Sequence, residues 1–508
     1  MRSLLPLRAA DRAAGRLRDA LVDPARRERS VLIALAGYLA LWTIYATVSK
    51  SSQGLHPDMT ELIAWSRDLS FGYLKHPPLA AWLVWLWFGV LPVAEWSYYL
   101  LAMLMPTLAL WIVWRGSADY LDIEKRVVGL ALLMLVPFFN FHALKYNVNT
   151  VLIPAWAVTT FWFLRSYRSR SALYAALAGV GAAACMLGKY WSVFLLAGLL
   201  VAALIDRRRA DYFRSAAPWI TVLAGAVVMA PHLVWLFQHD FAPFHYAVTV
   251  HGEKPLGDIL RGVLGYLAGS AGYVVIPVMI VLAAARPSRA TIADMLWPAE
   301  RERRLAAAAF WAPLLLPVLG ALASGTELTS LWSMPAWTLL PVLLLSSPAV
   351  TFAALDTRRI LAAAVAIPLL MAIASPVIAV IAQRNGPSPA AAQAHLLAIE
   401  VEREWRALTA QPLRFVGGDA DLAYGVASYA GDRPRAITDM PQPSAAELAH
   451  SGVVFVCFAE DTGCLHAASQ RLPQLVPLRS AQIELHRDYL GNPGQPRRYA
   501  ILIMAGRN

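Results

Sequence analysis

Residues 360–383 read ILAAAVAIPLLMAIASPVIAVIAQ and contain no charged side chain. A helix needs about 20 predominantly apolar residues to cross a bilayer, so this stretch predicts a membrane-spanning helix. Comparable apolar runs predict the other spans, near residues 31–49, 97–114, 127–141, 150–164, 172–188, 191–205, 216–236, 265–285, 305–323 and 335–349. The sequence therefore predicts a polytopic α-helical membrane protein with about eleven transmembrane helices.

The composition is that of a membrane protein. Of the 508 residues, 58% are hydrophobic and only 15% are charged, whereas soluble domains carry roughly 25% charged residues. The formal net charge of +11 arises largely from arginines that cluster in short loops between the apolar runs. This is the positive-inside pattern, so the charge indicates membrane orientation and argues against nucleic-acid binding.

The arginine-rich loops predict the side of the membrane on which each loop lies. Segment 78–94 is also apolar, and it is either a further span or a helix lying in the interface. All the arginine-rich loops lie on the same side of the membrane only if segment 78–94 does not cross it. We therefore predict that this segment is a juxtamembrane helix on the outer side. The N-terminal arm, residues 1–30, is then cytoplasmic, and its basic, amphipathic pattern predicts that it rests on anionic lipid. The expected location is a bacterial inner membrane.

The chain changes character after about residue 383, where it becomes polar and contains short strand-like runs. These runs are Leu413–Val416, Val453–Phe458 and Tyr499–Met504. We predict three parts, namely the arm over 1–30, a transmembrane domain over 31–383 and a small periplasmic α/β domain over 384–508. Cys457 and Cys464 could form a disulfide in an oxidising compartment, and two free thiols are the alternative.

The first outer loop, residues 50–96, carries the most informative pattern. Its segment 55–80 reads LHPDMTELIAWSRDLSFGYLKHPPLA. In a helix, Asp58, Glu61, Trp65 and Asp68 share one face, because they follow the spacing i, i+3, i+7, i+10. A carboxylate can take the acceptor's proton in glycosyl transfer, and aromatic rings stack on sugars. The alternative is a solvated helix end, with Asp58 as its N-cap.

This loop resembles the first outer loop of the GT-C glycosyltransferases. The most similar group is protein-mannosyltransferase-like and includes lipid A aminoarabinose transferases and rhizobial galacturonosyl transferases. In that group an acidic residue follows the first span, a GY-x-x-HPPL-like string comes about fifteen residues later, and a juxtamembrane helix follows. Here the matching positions are Asp58, the string GYLKHPPL at residues 72–79, and segment 78–94. The resemblance implies a GT-C-like catalytic domain over 31–383.

The resemblance also implies a chemistry. Asp58 would be the catalytic acid–base residue, the donor a polyprenyl-phosphate sugar, and the acceptor an envelope glycolipid such as lipopolysaccharide core or lipid A. The anomeric configuration should invert, because a single displacement forms no covalent intermediate. Many members have a second acid just before the HPP string, where this chain has Lys75. Either Glu61 supplies the second carboxylate, or Lys75 binds phosphate.

A donor phosphate requires cations near the outer interface. The candidates are Lys75, Lys145 and Lys189, followed by Lys254 and Arg261. The alternative for each lysine is snorkelling to the interface. The predicted substrate-binding residues are Trp65, Tyr73, His76, Asn147, Asn149 and Trp332. For Trp332, a place in the interfacial aromatic belt is the alternative.

The sequence leaves two alternatives to a transferase, a secondary transporter and a non-catalytic membrane scaffold. A secondary transporter carries ionisable residues within its spans, whereas here the spans contain almost no acids and one outer loop contains several. Only the motif in the first outer loop argues against a non-catalytic membrane scaffold. The outer histidines show no strong ligand spacing such as H-E-x-x-H, so no metal or other cofactor is firmly predicted, although a divalent metal stays open.

Overall fold

The computed structural model describes residues 5–252, 254–386, 391, 393–438, 443–470 and 479–504. They form two compact units. The first unit contains the described residues of Met1–Thr43, Lys75–Leu79 and Tyr99–Met371. The second contains the described residues of Ile44–Leu74, Ala80–Tyr98 and Ala372–Asn508. The first outer loop is therefore largely grouped with the C-terminal part of the chain. The predicted domain boundary near residue 383 stays a prediction.

Helices dominate the described residues up to Asn385. In chain order they are α1 Leu5–Val22, α2 Arg27–Ser49, α3 Pro57–Ser66, α4 Leu79–Val90, α5 Glu95–Gly116, α6 Ile123–Met134, α7 Val148–Ser169, α8 Ala172–Gly188, α9 Val193–Ile205, α10 Arg209–Phe213, α11 Ala217–Gln238, α12 Ala242–His251, α13 Leu256–Ala285, α14 Arg289–Leu296, α15 Arg301–Ser324, α16 Leu340–Leu345 and α17 Ala354–Asn385. Four 3₁₀ segments connect some of them, at Ser117–Asp119, Pro137–Phe139, Tyr190–Ser192 and Ser330–Leu339.

The predicted class of polytopic helical membrane protein is confirmed. Six helices within the described ranges are long and apolar enough to cross a membrane. Shorter apolar helices occupy the predicted spans 172–188, 191–205 and 335–349. Helix α4 has 12 residues and is about 18 Å long, well short of the bilayer core of about 30 Å. Its length agrees with the predicted juxtamembrane helix.

Two predicted spans have irregular ends for a shared physical reason. The span predicted over 127–141 is helical only to Met134, and a 3₁₀ turn beginning at Pro137 follows. The span predicted over 335–349 begins as a 3₁₀ segment containing Pro335 and continues as α16, with Pro341 in its first turn. Proline lacks the backbone N–H that a helix interior requires, and it disfavours helical geometry in the residue before it.

The second unit contains the predicted small α/β fold. Its helices are α18 Ala394–Arg406, α19 Ala420–Tyr429, α20 Ala445–Ser451 and α21 Thr462–Gln470, and its strands are β1 Phe415–Gly418, β2 Arg435–Ala436, β3 Val453–Phe458, β4 Arg479–Leu485, β5 Asp488–Tyr489, β6 Asn492–Pro493 and β7 Arg497–Met504. Five strands form one sheet in the order β2-β1-β3-β7-β4. Strand β1 runs parallel to β2 and β3, and β7 runs antiparallel to β3 and β4.

Two features of this sheet were predicted from the sequence, the central strand β3 and the disulfide that follows it. Strand β3 coincides with the predicted run Val453–Phe458, and its side chains are buried up to Cys457 because the strand lies in the middle of the sheet. Cys457 is bonded to Cys464 at the start of α21. The predicted disulfide is therefore present, and it ties α21 to the end of the central strand.

Candidate functional site

Helix α3 presents the predicted catalytic carboxylate near its N-terminus. His56 caps the helix, since its Nδ1 accepts a hydrogen bond of 3.1 Å from the backbone N–H of Asp58. Pro57 occupies the first helical position, where its missing N–H costs nothing. The alternative in which Asp58 itself is the N-cap was therefore wrong, and Asp58 instead lies in the first turn.

The side chain of Asp58 is accessible. Its exposed fraction is 40%, and its Oδ1 lies 3.4 Å from Nδ1 of His56. The positive end of the helix dipole favours a negative charge at this position. These features give Asp58 the form of a solvent-accessible carboxylate that can accept a proton. Glu61 lies one turn later on the same helix and is partly buried.

The predicted four-residue face is shorter than expected. Helix α3 ends at Ser66, so Asp68 lies beyond it and does not share the face of Asp58. The Tyr73 hydroxyl donates a hydrogen bond of 2.9 Å to the carbonyl of Trp65 and so satisfies an acceptor at the helix end. Asp68 forms an ion pair of 3.1 Å with Arg435 on β2. The prediction that Asp68 extends the carboxylate face was wrong.

Trp65 and Tyr73 stack on each other. Their ring centroids are 4.7 Å apart with an interplanar angle of 4°, and their exposed fractions are 1% and 2%. Burial raises the pKa of Tyr73 to about 12, so its hydroxyl stays a hydrogen-bond donor at neutral pH. The stack joins α3 to the GYLKHPPL string. Sugar binding by these two rings stays a prediction.

The C-terminal end of α19 holds α3 through contacts that the sequence did not predict. The backbone N–H of Leu55 donates to the Tyr429 hydroxyl at 2.8 Å, and that hydroxyl donates to Oε1 of Glu95 at 2.6 Å. The Ser428 hydroxyl donates to the carbonyl of Thr60 at 3.2 Å. These residues lie more than 300 positions apart in the chain, and no sequence signal links them.

Arg67, which follows the last residue of α3, adds a further contact with α19. Its guanidinium donates to the carbonyl of Ala427 and, at 3.5 Å, to that of Ser428. These carbonyls belong to the last turn of α19, whose unsatisfied acceptors attract a cation. Together with the contacts of Ser428 and Tyr429, this interaction fixes the helix that carries Asp58. We call these contacts the α3–α19 clamp.

In the first unit, three predicted binding residues come together at the end of α8. The Lys189 ammonium donates a hydrogen bond of 3.0 Å to Oδ1 of Asn149 and lies 4.7 Å from the ring centroid of Trp332. The Trp332 ring in turn packs against Trp191, with 4.7 Å between their centroids. We call Lys189, Asn149 and Trp332 the lysine cluster. A cation held by an amide oxygen and an aromatic face is positioned to bind an anion.

Asn147 and Lys145 lie just before the helix that carries Asn149. The Oδ1 atom of Asn147 caps α7 by accepting from the backbone N–H groups of Asn149, at 3.0 Å, and Thr150, at 3.2 Å. The Thr150 hydroxyl donates to the carbonyl of Lys145 at 2.8 Å. Burial, and then the charge of Lys145, lower the pKa of His142. The capping therefore fixes the backbone at Lys145 and Asn149, and substrate contacts by Asn147 stay a prediction.

The remaining predicted cations have different surroundings. Lys75 and His76 are partly buried and stand just before α4, in the string that includes two buried prolines. Arg261 on α13 is 82% exposed and pairs with Asp258 at 3.0 Å. The backbone N–H of Lys254 donates to the carbonyl of Gly325 at 3.2 Å. Phosphate binding at Lys75 stays a prediction, as does the contact of His76 with substrate.

An apolar cavity of about 380 Å³ lies beside α8. Its lining residues on that helix run from Ala178 to Met186, and Met186 stands one turn before Lys189. The opposite wall includes Val222 and Met229 of α11. A hydrocarbon chain can occupy such a space, because the lining is almost entirely apolar.

Comparisons with known proteins show what this chain is similar to. A family model described as dolichyl-phosphate-mannose-protein mannosyltransferase matches residues 75–235. A lipid A galacturonosyltransferase, RgtD, of Rhizobium johnstonii is 24% identical over 257 residues, which are 48% of this chain and 51% of that protein. A lipopolysaccharide core galacturonosyltransferase, RgtB, of the same species is 28% identical over 227 residues, which are 44% of this chain and 45% of that protein. The chain thus spans about half the length of these curated relatives.

Solved structures show the same fold over nearly the whole chain. ArnT from Cupriavidus metallidurans bound to undecaprenyl phosphate covers 93% of this chain at a TM-score of 0.57, with 98% of its own chain covered and 13% identity. Its apo state covers 96% at a TM-score of 0.60, with 100% of its own chain covered and 13% identity. The chain is similar to the GT-C glycosyltransferases. The predicted resemblance and the predicted fold class are both confirmed.

Proposed function

We propose that this protein is a membrane glycosyltransferase that moves a sugar from a polyprenyl-phosphate donor to lipopolysaccharide core or lipid A. Two observations support the class of reaction. The matched relatives are lipid A and lipopolysaccharide core galacturonosyltransferases, and the similar ArnT structure is described as bound to undecaprenyl phosphate. The observation that carries the proposal within this chain is the lysine cluster.

Lys189 is proposed to bind the donor phosphate. Asn149 and Trp332 hold its ammonium in one position, and a positioned cation stabilises the charge that develops on a departing phosphate. Lys75 and Lys145 are proposed as additional phosphate contacts. The apolar cavity beside α8 supports a lipid-linked donor, because it provides space for a prenyl chain one turn from Lys189.

Asp58 is proposed as the general base. Its carboxylate accepts the proton of the acceptor hydroxyl while that oxygen forms a bond to the anomeric carbon. The bond between the anomeric carbon and the phosphate oxygen breaks, and the polyprenyl phosphate leaves with the electron pair. A single displacement of this kind inverts the anomeric configuration. Glu61 is proposed as the second carboxylate, and Asn147, His76, Trp65 and Tyr73 as substrate contacts.

The proposed location is a bacterial inner membrane, with the N-terminus in the cytoplasm and the α/β unit in the periplasm. The positive-inside pattern supports this orientation. The Cys457–Cys464 disulfide supports a periplasmic α/β unit, because disulfides persist in that oxidising compartment.

The proposed function is tested directly by giving the purified protein two classes of sugar donor. Lipid A or core oligosaccharide would be incubated with polyprenyl-phosphate sugars in one series and with nucleotide sugars in the other, and products would be identified by mass. The proposal expects transfer only from the lipid-linked series, with inverted anomeric configuration by NMR. Transfer from nucleotide sugars, or retained configuration, would refute it.

A further inference from the structure

A second apolar cavity, of about 420 Å³, lies in the first unit among α1, α2, α6 and α17. Its lining includes Leu17, Leu21, Gly37, Leu41, Leu361 and Pro368. The volume is within the usual range of ligand pockets, roughly 300–1,000 Å³. It is distinct from the cavity beside α8, because the two share no lining residue.

Two arginines extend the lining faces of this cavity. On α2, Arg27 precedes the lining residues Ser30 and Ala34 at the helical spacing i, i+3, i+7. On α17, Arg358 precedes Leu361 and Val365 at the same spacing. Residues at this spacing lie on one face of a helix. Each arginine therefore stands one turn before the first lining residue of its helix, close to the helix N-terminus.

Arg358 is poorly satisfied within the described part of the chain. Its Nε is buried and has no hydrogen-bond partner there. Its side chain lies against α1, since a Cβ at Gly15 would be in ordinary van der Waals contact with Cδ of Arg358, at 3.6 Å. The neighbouring Thr357 hydroxyl is likewise buried and without a partner among the described residues. A buried donor without an acceptor is costly, so these groups favour an acceptor-rich ligand.

Two acids near this end of the cavity are already paired with other arginines. Glu124 on α6 accepts from Arg18 at 2.8 Å, and Glu28 on α2 pairs with Arg115 at 3.2 Å. Neither Arg27 nor Arg358 forms an ion pair within the ranges that the structure describes. Two arginines without an ion pair among the described residues therefore flank this cavity, whereas no charged residue lines the cavity beside α8.

We propose that this cavity binds one anionic glycerophospholipid of the cytoplasmic leaflet. Arg27 and Arg358 hold its phosphate, and one acyl chain lies against Gly37 and Val365. The proposal uses the predicted orientation, which places the N-terminal ends of α2 and α17 at the cytoplasmic interface, and it is independent of the proposed glycosyl transfer. A lipid bound there also covers the apolar face of α1, which the Arg18–Glu124 pair ties to α6.

The test uses the full-length protein purified in mild detergent and native mass spectrometry with added phosphatidylglycerol. One variant removes the charge, Arg27→Gln with Arg358→Gln, and a second fills the cavity, Gly37→Leu. Gly37 suits this purpose because a Cβ there meets no atom within 4 Å. The matched controls are Arg359→Gln, an exposed neighbour of Arg358, and Ala226→Leu, which fills the other cavity.

The wild type and both controls should retain one phosphatidylglycerol per chain and gain thermal stability from it. The charge variant should bind it roughly tenfold to a hundredfold more weakly, because it loses charge-assisted hydrogen bonds to phosphate. The Gly37→Leu variant, monodisperse on size exclusion, should lose it as well. Equal retention by both variants would overturn the proposal. Preferential retention of phosphatidylethanolamine or of polyprenyl phosphate would overturn it too.

Discussion

Replacing Tyr429 with phenylalanine tests whether the α3–α19 clamp positions Asp58. The change removes one hydroxyl that accepts from the buried Leu55 N–H and donates to the Glu95 carboxylate. A hydrogen bond to a charged group contributes about 1.5–3 kcal/mol, and a buried N–H left without an acceptor costs about 1–3 kcal/mol. The segment that leads into α3 should therefore lose about 3 kcal/mol of local stability.

That loss can be read by hydrogen exchange. Because 1.4 kcal/mol corresponds to a factor of ten in an equilibrium, local opening of residues 54–60 should become roughly a hundredfold more frequent. The transferase assay should show a lower kcat with little change in the KM of the donor, since Asp58 is misplaced while the lysine cluster is intact. The matched control is Tyr499→Phe, which removes the hydroxyl of another buried tyrosine in the same unit.

The reasoning would be refuted by unchanged exchange over residues 54–60 in the Tyr429→Phe variant. Unchanged kcat together with faster exchange would show that the clamp stabilises α3 without affecting catalysis. A fall in global thermal stability as large in Tyr499→Phe would show that the effect is general to the second unit. These results distinguish an effect on the position of Asp58 from a general loss of folding stability.

Three further predictions follow from the same geometry. Lys189→Met should raise the KM for the donor roughly tenfold to a hundredfold, whereas Arg359→Gln, an exposed control, should not; equal effects would contradict the assigned role. The double variant Cys457→Ser, Cys464→Ser removes the disulfide, which joins residues 7 positions apart. It should destabilise the α/β unit by about 2–3 kcal/mol. Thermal unfolding measures this loss, with Cys185→Ala as the control. Burial and the charge of Lys145 lower the pKa of His142, so the folded state binds a proton at this residue less readily than the unfolded state does. The free energy of unfolding should therefore fall as the pH drops below the ordinary histidine pKa of about 6.5. An equal fall in the His142→Gln variant would contradict this prediction.

The helical spans could be predicted closely from hydropathy, and the failures have a local cause. Helix α8 coincides with the predicted 172–188, because its apolar run is bounded by Ser171 and Lys189. The runs at 127–141 and 335–349 are just as apolar, but they contain prolines. Apolarity indicates that a segment lies in the membrane and does not indicate where its backbone leaves the α-helix.

The sequence could name candidate site residues but not their arrangement. Lys189 was predicted to bind phosphate and Asn149 and Trp332 to bind substrate, yet their mutual contacts join positions far apart in the chain. The contact between Leu55 and Tyr429 spans 374 positions, and a tyrosine at the end of a short helix carries no sequence signal of that role. The early end of α3 was missed because helical spacing continues in the sequence to Asp68, whereas in the structure the Tyr73 hydroxyl donates to the carbonyl of Trp65 at the helix end.

The central claim is that Asp58 is the base of a glycosyl transfer. The most direct measurement is mass analysis of envelope glycolipids from cells with wild-type protein, with none, or with Asp58→Asn at matched expression, and Asp68→Asn is the control carboxylate of the same loop. The account predicts that one sugar is missing from lipid A or core both without the protein and with Asp58→Asn, and that it is present with Asp68→Asn. A full complement of that sugar with Asp58→Asn, while cells without the protein lack it, would contradict the claim.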